Sequence, residues 1–223
     1  MTPLQERLIK IKEQIPEQVN LVAVSKFHPK SALQEAYDVG QRIFGESRVQ
    51  ELIEKQQVLP SDIEWHFIGH LQANKVKYIA PFITLIHAVD SLHLLEEIDK
   101  QGRKHNRKIP CLIQIHVAQE EAKFGFYPNE FLAFLNDGQW SNLSYAQIIG
   151  VMCMASFTDD TTQVLEEFKL ANELFHWAKS THFSNIPEFK ECSWGMSEDY
   201  PLAIETGSTL IRIGSSIFGD RQY

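Results

Sequence analysis

Apolar residues at Leu4, Leu8, Ile11 and Ile15 recur every three or four positions, the period of one helical face, and Pro16 ends the run. The next apolar stretch is continuous. Leu21-Val-Ala-Val24 is too short for a helix and suits a strand buried on both faces; it leads directly into Ser25-Lys26. Beyond Pro29, Leu33, Ala36 and Tyr37 return to helical spacing, and Gly40 closes that segment. The alternation then repeats. Strand-like runs fall at residues 42–44, 64–68, 84–89, 111–117, 148–151, 191–194 and 209–213. Helical patterns lie between them. Ser47 and Gln50 read as a capping box ahead of Val49, Leu52 and Ile53. A short helix is expected over 72–79, and another from Leu92 to a stop at Gly102. Residues 129–135 follow Pro128, and Val164, Phe168, Ala171, Phe175 and Ala178 give the strongest amphipathic stripe in the chain. The last helix, over 198–205, ends at Gly207.

Eight strands result, seven of them followed by a helix before the next strand. The repeat of roughly 28 residues matches an α/β fold of the (β/α)8 or TIM-barrel type. A doubly wound open sheet would use fewer strands and often carries G-x-G-x-x-G after its first strand, which is absent here. No linker, low-complexity tract or composition break divides the chain, so residues 1–223 are expected to form one domain.

Composition narrows the partners. A hydrophobic fraction of 43% is enough for a full core and excludes general disorder. The net charge of −8 gives no overall attraction to nucleic acid or an anionic bilayer. No apolar run approaches the ~20 residues of a membrane-spanning helix. The N-terminus lacks the basic patch and apolar stretch of a secretory signal. Cys111, Cys153 and Cys192 are few, odd in number and widely spaced, which points to reduced, buried thiols in a cytoplasmic protein. Nothing suggests an obligate interface, so a monomer is expected.

In barrels of this kind the chemistry sits at the C-terminal ends of the strands. That rule selects Lys26, the Gly45-Glu46-Ser47 corner, Gly69-His70, Met152-Cys153-Met154, Gly195-Met-Ser197 and Gly214-Ser-Ser216. Lys26 emerges from a buried run; burial favours a neutral amine, which can attack a carbonyl, although a strand-end lysine can also simply reach solvent. Gly195-Met-Ser197 and Gly214-Ser215-Ser216 follow the seventh and eighth strands, where barrels often bind phosphate through backbone N–H groups and hydroxyls. Ser197 also reads as an N-cap for the helix through Glu198 and Asp199, two carboxylates that would repel an anion. Arg212 lies inside the eighth strand and needs a partner: a structural carboxylate such as Glu205, or an acceptor atom on a ligand. His66 and His70 are four apart, but Gly69 in an apolar run marks a strand end rather than a helix, so no metal site is expected.

Several stretches together resemble the YggS/PROSC family of pyridoxal 5′-phosphate (PLP) homeostasis proteins. They are Leu21-Val-Ala-Val-Ser-Lys26, Phe44-Gly-Glu46 with Val49-Gln-Glu51, His66-Phe-Ile-Gly69 with Leu71-Gln72 and Asn74-Lys75, Gly195-Met-Ser197, and the run from Ile204 to Gly219. They cover residues 21–219 in family order. The resemblance implies a single barrel like the N-terminal domain of alanine racemase. It implies that Lys26 holds the cofactor as a Schiff base, that Ser197, Gly214 and Ser215 hold its phosphate, and that Arg212 faces the pyridine nitrogen. Ser47 departs from the Asn that many members carry after F-G-E, and Val151 replaces a common Leu.

An arginine at that nitrogen donates a hydrogen bond and leaves the nitrogen unprotonated, which makes the ring a poor electron sink. Only residues 215–223 follow the eighth strand, too few for the second domain that supplies an acid/base residue in the racemase. The resemblance thus implies a cofactor-binding protein without robust catalysis. It would buffer PLP or pass it transiently to apo-enzymes. The alternative is a racemase or decarboxylase of the same barrel type. A Schiff-base aldolase acting on a sugar phosphate is a third reading, disfavoured because no partner carboxylate is evident beside Lys26.

Overall fold

The apolar run that follows the first helix becomes β1 (Asn20–Val24), a strand covered on both sides. In the computed structural model, which describes residues 1–219, it is joined by β2 (Ile43–Glu46), β3 (Glu64–Phe67), β4 (Leu85–Val89), β5 (Ile109–Ile115), β6 (Ala146–Cys153), β7 (Glu191–Ser193) and β8 (Leu210–Ile213). Neighbouring strands are parallel, and the sheet closes because β1 pairs with β8, Val22 opposite Arg212 and Ala23 opposite Ile213. The helices are α1 (Pro3–Gln14), α2 (Lys30–Asp38), α3 (Val49–Gln56), α4 (Val76–Ile79), α5 (Leu92–Lys104), α6 (Pro128–Asp137), α7 (Thr161–Thr181), α8 (Tyr200–Glu205) and α9 (Ser215–Phe218). This is the (β/α)8 barrel that the alternation predicts.

Strand periodicity sorts side chains into two layers. Leu21, Ala23, Phe44, Trp65, Phe67, Ile211 and Ile213 point outward into the large core shared with the helices. Val22, Leu85, Leu112, Met152 and Leu210 fill the barrel interior. The predicted stripe on α7 is buried: Val164, Phe168, Ala171, Phe175 and Ala178 all pack inward. The opening helix α1 buries Leu4, Leu8 and Ile11 and is capped by Thr2, whose hydroxyl accepts from Gln5 N while Thr2 N donates back to the Gln5 side chain.

Four local expectations change. Ser47 does not cap α3, which starts at Val49 without a side-chain cap. Ser47 is still held at the sheet exit, where Ile68 N donates to Glu46 O at 2.8 Å and a Cβ on Gly69 would lie 2.6 Å from the Ser47 carbonyl. Gly102 lies inside α5 rather than ending it. A Cβ there would come 2.8 Å from both Arg107 O and Tyr145 Cβ, so the glycine serves close packing. The helix expected over 72–79 divides into a 3₁₀ turn, Ala73–Lys75, and the single turn of α4. Finally, α8 starts at Tyr200 with Asp199 at its cap, so Ser197 is not an N-cap.

Candidate functional site at the C-terminal mouth of the barrel

Alternation along β1 puts Val22 and Val24 on the interior face; Lys26 lies two residues beyond the strand, in a turn closed by His28 N donating to Ser25 O at 3.1 Å. Lys26 is half-buried. On β8 the same face presents Leu210, Arg212 and then Gly214. Arg212 is level with Val22, and a Cβ on Gly214 would lie 3.3 Å from Val24 Cβ. Arg212 and Gly214 therefore step upward along one interior seam, against the strand that leads into the Lys26 turn.

The two small-residue loops also meet. Gly214 N donates to Ser197 Oγ at 3.3 Å, and Arg212 N donates to Gly195 O at 3.0 Å. The short helix α9 begins at Ser215, and the N–H groups of its first residues have no acceptor within the helix. Of the two carboxylates expected to oppose an anion, Glu198 is exposed. Asp199 turns back on its own loop: Oδ1 accepts from Met196 N at 2.5 Å, and burial raises its pKa. Gly195 has φ +92°, and a Cβ there would fall 2.5 Å from Ala203 Cβ. Gly195→Ala should therefore destabilise the fold by about 1–3 kcal/mol from backbone strain alone, read as a lowered thermal midpoint.

Arg212 is 4% exposed and, among the described residues, hydrogen-bonds to no carboxylate, with Asp199 acting on it only electrostatically. Nη1 donates to Ser193 O at 2.8 Å and to Ser193 Oγ at 2.7 Å, and Nη2 donates to Cys153 O at 3.0 Å. Glu205, considered as a partner, is exposed on α8. Nothing in the residue pattern points to what lies beyond Ser193. Its Oγ is 2.9 Å from His87 Nδ1, and His87 Nε2 is 2.9 Å from His66 Nδ1. Arg212 can only donate, so Ser193 accepts from it and gives its own proton to His87 Nδ1. His87 then donates from Nε2 to His66. Burial holds His66 neutral down to about pH 3, and burial lowers the His87 pKa too, assisted by His66 and Arg212. His66 and His70 do not converge. His70 faces outward, bonded to Asp90 Oδ2 at 2.9 Å and stacked on Phe124.

A second polar cluster escaped the sequence reading. On α3, Lys55 is buried and its Nζ donates to Glu46 Oε1 at 2.7 Å, Glu51 Oε1 at 2.7 Å and Ser25 O at 2.8 Å. The available signal was a lysine one turn after Glu51 and beside Leu52 on the apolar side of a helix. The three thiols are free and buried, and burial pushes their pKa values up, away from reactivity.

The family described as "Alanine racemase, N-terminal domain" matches residues 2–222. A pyridoxal phosphate homeostasis protein of Aquifex aeolicus (strain VF5) is 35% identical, covering 91% of this chain and 87% of that protein. The chain belongs to the pyridoxal phosphate homeostasis protein family. The human pyridoxal phosphate homeostasis protein is 37% identical over 92% of this chain and 78% of its own length. Among solved structures, PipY of Synechococcus elongatus PCC7942 with PLP bound has a TM-score of 0.86 at 36% identity, covering 97% of this chain and 100% of that one. Alanine racemase of Clostridium difficile 630 shares the fold, with a TM-score of 0.76 at 14% identity, 99% of this chain and 57% of that one.

The mouth of this homeostasis-family barrel has the chemistry of a site for a phosphorylated aldehyde. Lys26 follows β1, hydroxyl and amide donors stand on the loops after β7 and β8, and the Arg212 guanidinium is buried within β8.

Proposed function

We propose that this protein binds PLP at the mouth of the barrel and takes part in intracellular PLP homeostasis, holding the cofactor for storage or transfer. The reading is carried by Arg212 and Gly214 on the interior seam against β1, the strand that leads into Lys26, beside loops joined through Ser197. It is supported by a 36%-identical structure, PipY, that has PLP bound. Ser197, Ser215 and the amide of Gly214 with those opening α9 would receive the phosphate.

When bound, PLP supplies an aldehyde that condenses with a neutral amine, releasing water and leaving a C=N bond. Lys26 is the amine assigned to that bond. Arg212 donates toward the pyridine nitrogen. Its fixed charge, locked by Ser193 and Cys153, opposes protonation there. Neutral His66 and His87 bring no further charge beneath the ring. This arrangement favours holding the cofactor over driving carbanion chemistry, so steady racemisation or decarboxylation of amino acids is not expected. The free, buried cysteines suit a reducing compartment, the cytoplasm. Among the described residues, no helix is long and apolar enough to cross a membrane.

Borohydride reduction of the PLP-treated protein followed by peptide mapping tests the assignment. The expected result is one reduced adduct, on Lys26. Label on a different lysine, or none, would overturn the site.

A further inference from the structure

The residues on either side of Lys26 are gripped from outside the barrel. Ser25 Oγ donates to Glu46 Oε1 at 2.6 Å, and Ser25 O accepts from Lys55 Nζ at 2.8 Å. Phe27 N donates to Glu51 Oε1 at 2.7 Å. Lys55 links the two carboxylates, using all three of its protons on Ser25, Glu46 and Glu51. Phe27 sits at φ +68°, a left-handed conformation that a bulky residue keeps only when its surroundings impose it.

The alternation on β2 turns Phe44 and Glu46 outward and Gly45 inward, so the grip reaches the mouth only through the backbone of β1 and its exit. Glu46 is fully buried, and its Oε2 has no hydrogen-bond partner among the described residues. Burial raises its pKa to about 7 despite the adjacent Lys55. Burying two carboxylates and an ammonium is a poor way to gain stability, because desolvation offsets their attraction. What the cluster does achieve is geometric: it fixes Ser25 and Phe27 at once, and so the residue between them.

We propose that Glu46, Glu51 and Lys55 are positioning residues that present the Lys26 amine to the aldehyde of PLP. The proposal rests on Lys26 being the Schiff-base lysine. In the condensation, Nζ bonds to the aldehyde carbon, the carbonyl oxygen leaves as water, and both amine protons leave with it. Approach geometry governs such a step, whereas Glu46, Glu51 and Lys55 make their hydrogen bonds to Ser25, Phe27 and one another and not to the loops after β7 and β8.

The test compares two ligands on Glu51→Ala and Glu51→Gln proteins. PLP reports the rate of Schiff-base formation by absorbance; pyridoxine 5′-phosphate, which has the ring and phosphate but no aldehyde, reports the rest of the site. Glu51→Ala is expected to slow Schiff-base formation roughly tenfold or more while weakening pyridoxine 5′-phosphate binding less than about threefold. Glu51→Gln, whose amide oxygen can still accept from Phe27 N, should recover most of the rate. An unchanged rate in Glu51→Ala, or an equal loss with both ligands, would overturn the proposal. If Glu51→Ala does not fold, Lys55→Met takes its place with the same expected split, and a wild-type rate there overturns it equally. Failure of the underlying site is seen separately, as borohydride labelling of the wild-type protein away from Lys26.

Discussion

Lys26→Ala is expected to lose the Schiff-base absorbance completely while keeping its fold and part of its affinity for PLP. The residue lies in the turn after β1, and its neighbours hold that turn's backbone. Ser25 N donates to Gly45 O at 3.0 Å, and Phe27 N is held by Glu51. Those two backbone contacts do not need the Lys26 side chain, so the variant is expected to fold, with circular dichroism as the check. Binding should weaken at least ~100-fold, equivalent to about 2.7 kcal/mol, because the covalent link is gone while the loops around Ser197 and Gly214 remain. The same loss appears in thermal shifts: saturating PLP should stabilise the wild-type protein but raise the variant's midpoint only at much higher concentration. Wild-type affinity in a folded Lys26→Ala protein would remove Lys26 from the site.

The barrel was legible because each strand announces itself. Short, continuous apolar runs between helical patterns are what strands buried on both faces look like in sequence. The same rule pointed to Lys26 and the two small-residue loops as strand-end features, and Gly214 N meets Ser197 Oγ where the two loops come together. Local ends were harder to read. Ser47 and Ser197 both have the chemistry of helix caps, yet the sheet exit holds the first and an Asp199-centred turn displaces the second. Gly102 looked like a stop because sequence does not reveal that Tyr145 packs against it. The buried polar chains were invisible for a related reason. His66, His87, Ser193 and Arg212 come from four strands, and only barrel closure puts them in hydrogen-bond reach. A histidine inside an apolar run can signal such burial, but it does not name its partner.

That interior chain makes a sharp prediction about acid. Burial keeps His66 neutral to about pH 3 in the folded state, against an ordinary value of 6.5, and lowers the His87 pKa as well. Below 6.5 the unfolded chain gains protons that the folded chain refuses, so the histidines' stability, fully present above 6.5, is lost as pH falls. Each unit costs about 1.4 kcal/mol for His66, roughly 3 kcal/mol by pH 4.5, and His87 adds a loss in the same direction. Glu46 acts in the opposite sense. Burial raises its pKa from 4.5 to about 7, so its contribution is present below 4.5 and lost as pH rises through 7, roughly 3 kcal/mol in all. Between pH 6.5 and 4.5 the Glu46 gain offsets the His66 loss and leaves that of His87, so the decline is shallow. Below 4.5 Glu46 is protonated in both states and the histidines act unopposed, so the fall should steepen. Glu46→Gln removes the offset and should start the steep decline near pH 6.5; His66→Asn should make the fall below 4.5 shallower. Urea unfolding at pH 7, 5.5, 4.5 and 3.5 measures all three proteins. Parallel curves for wild type and Glu46→Gln would show that the buried carboxylate is not what delays the loss, and an unchanged acid slope in His66→Asn would release His66 from its part in it.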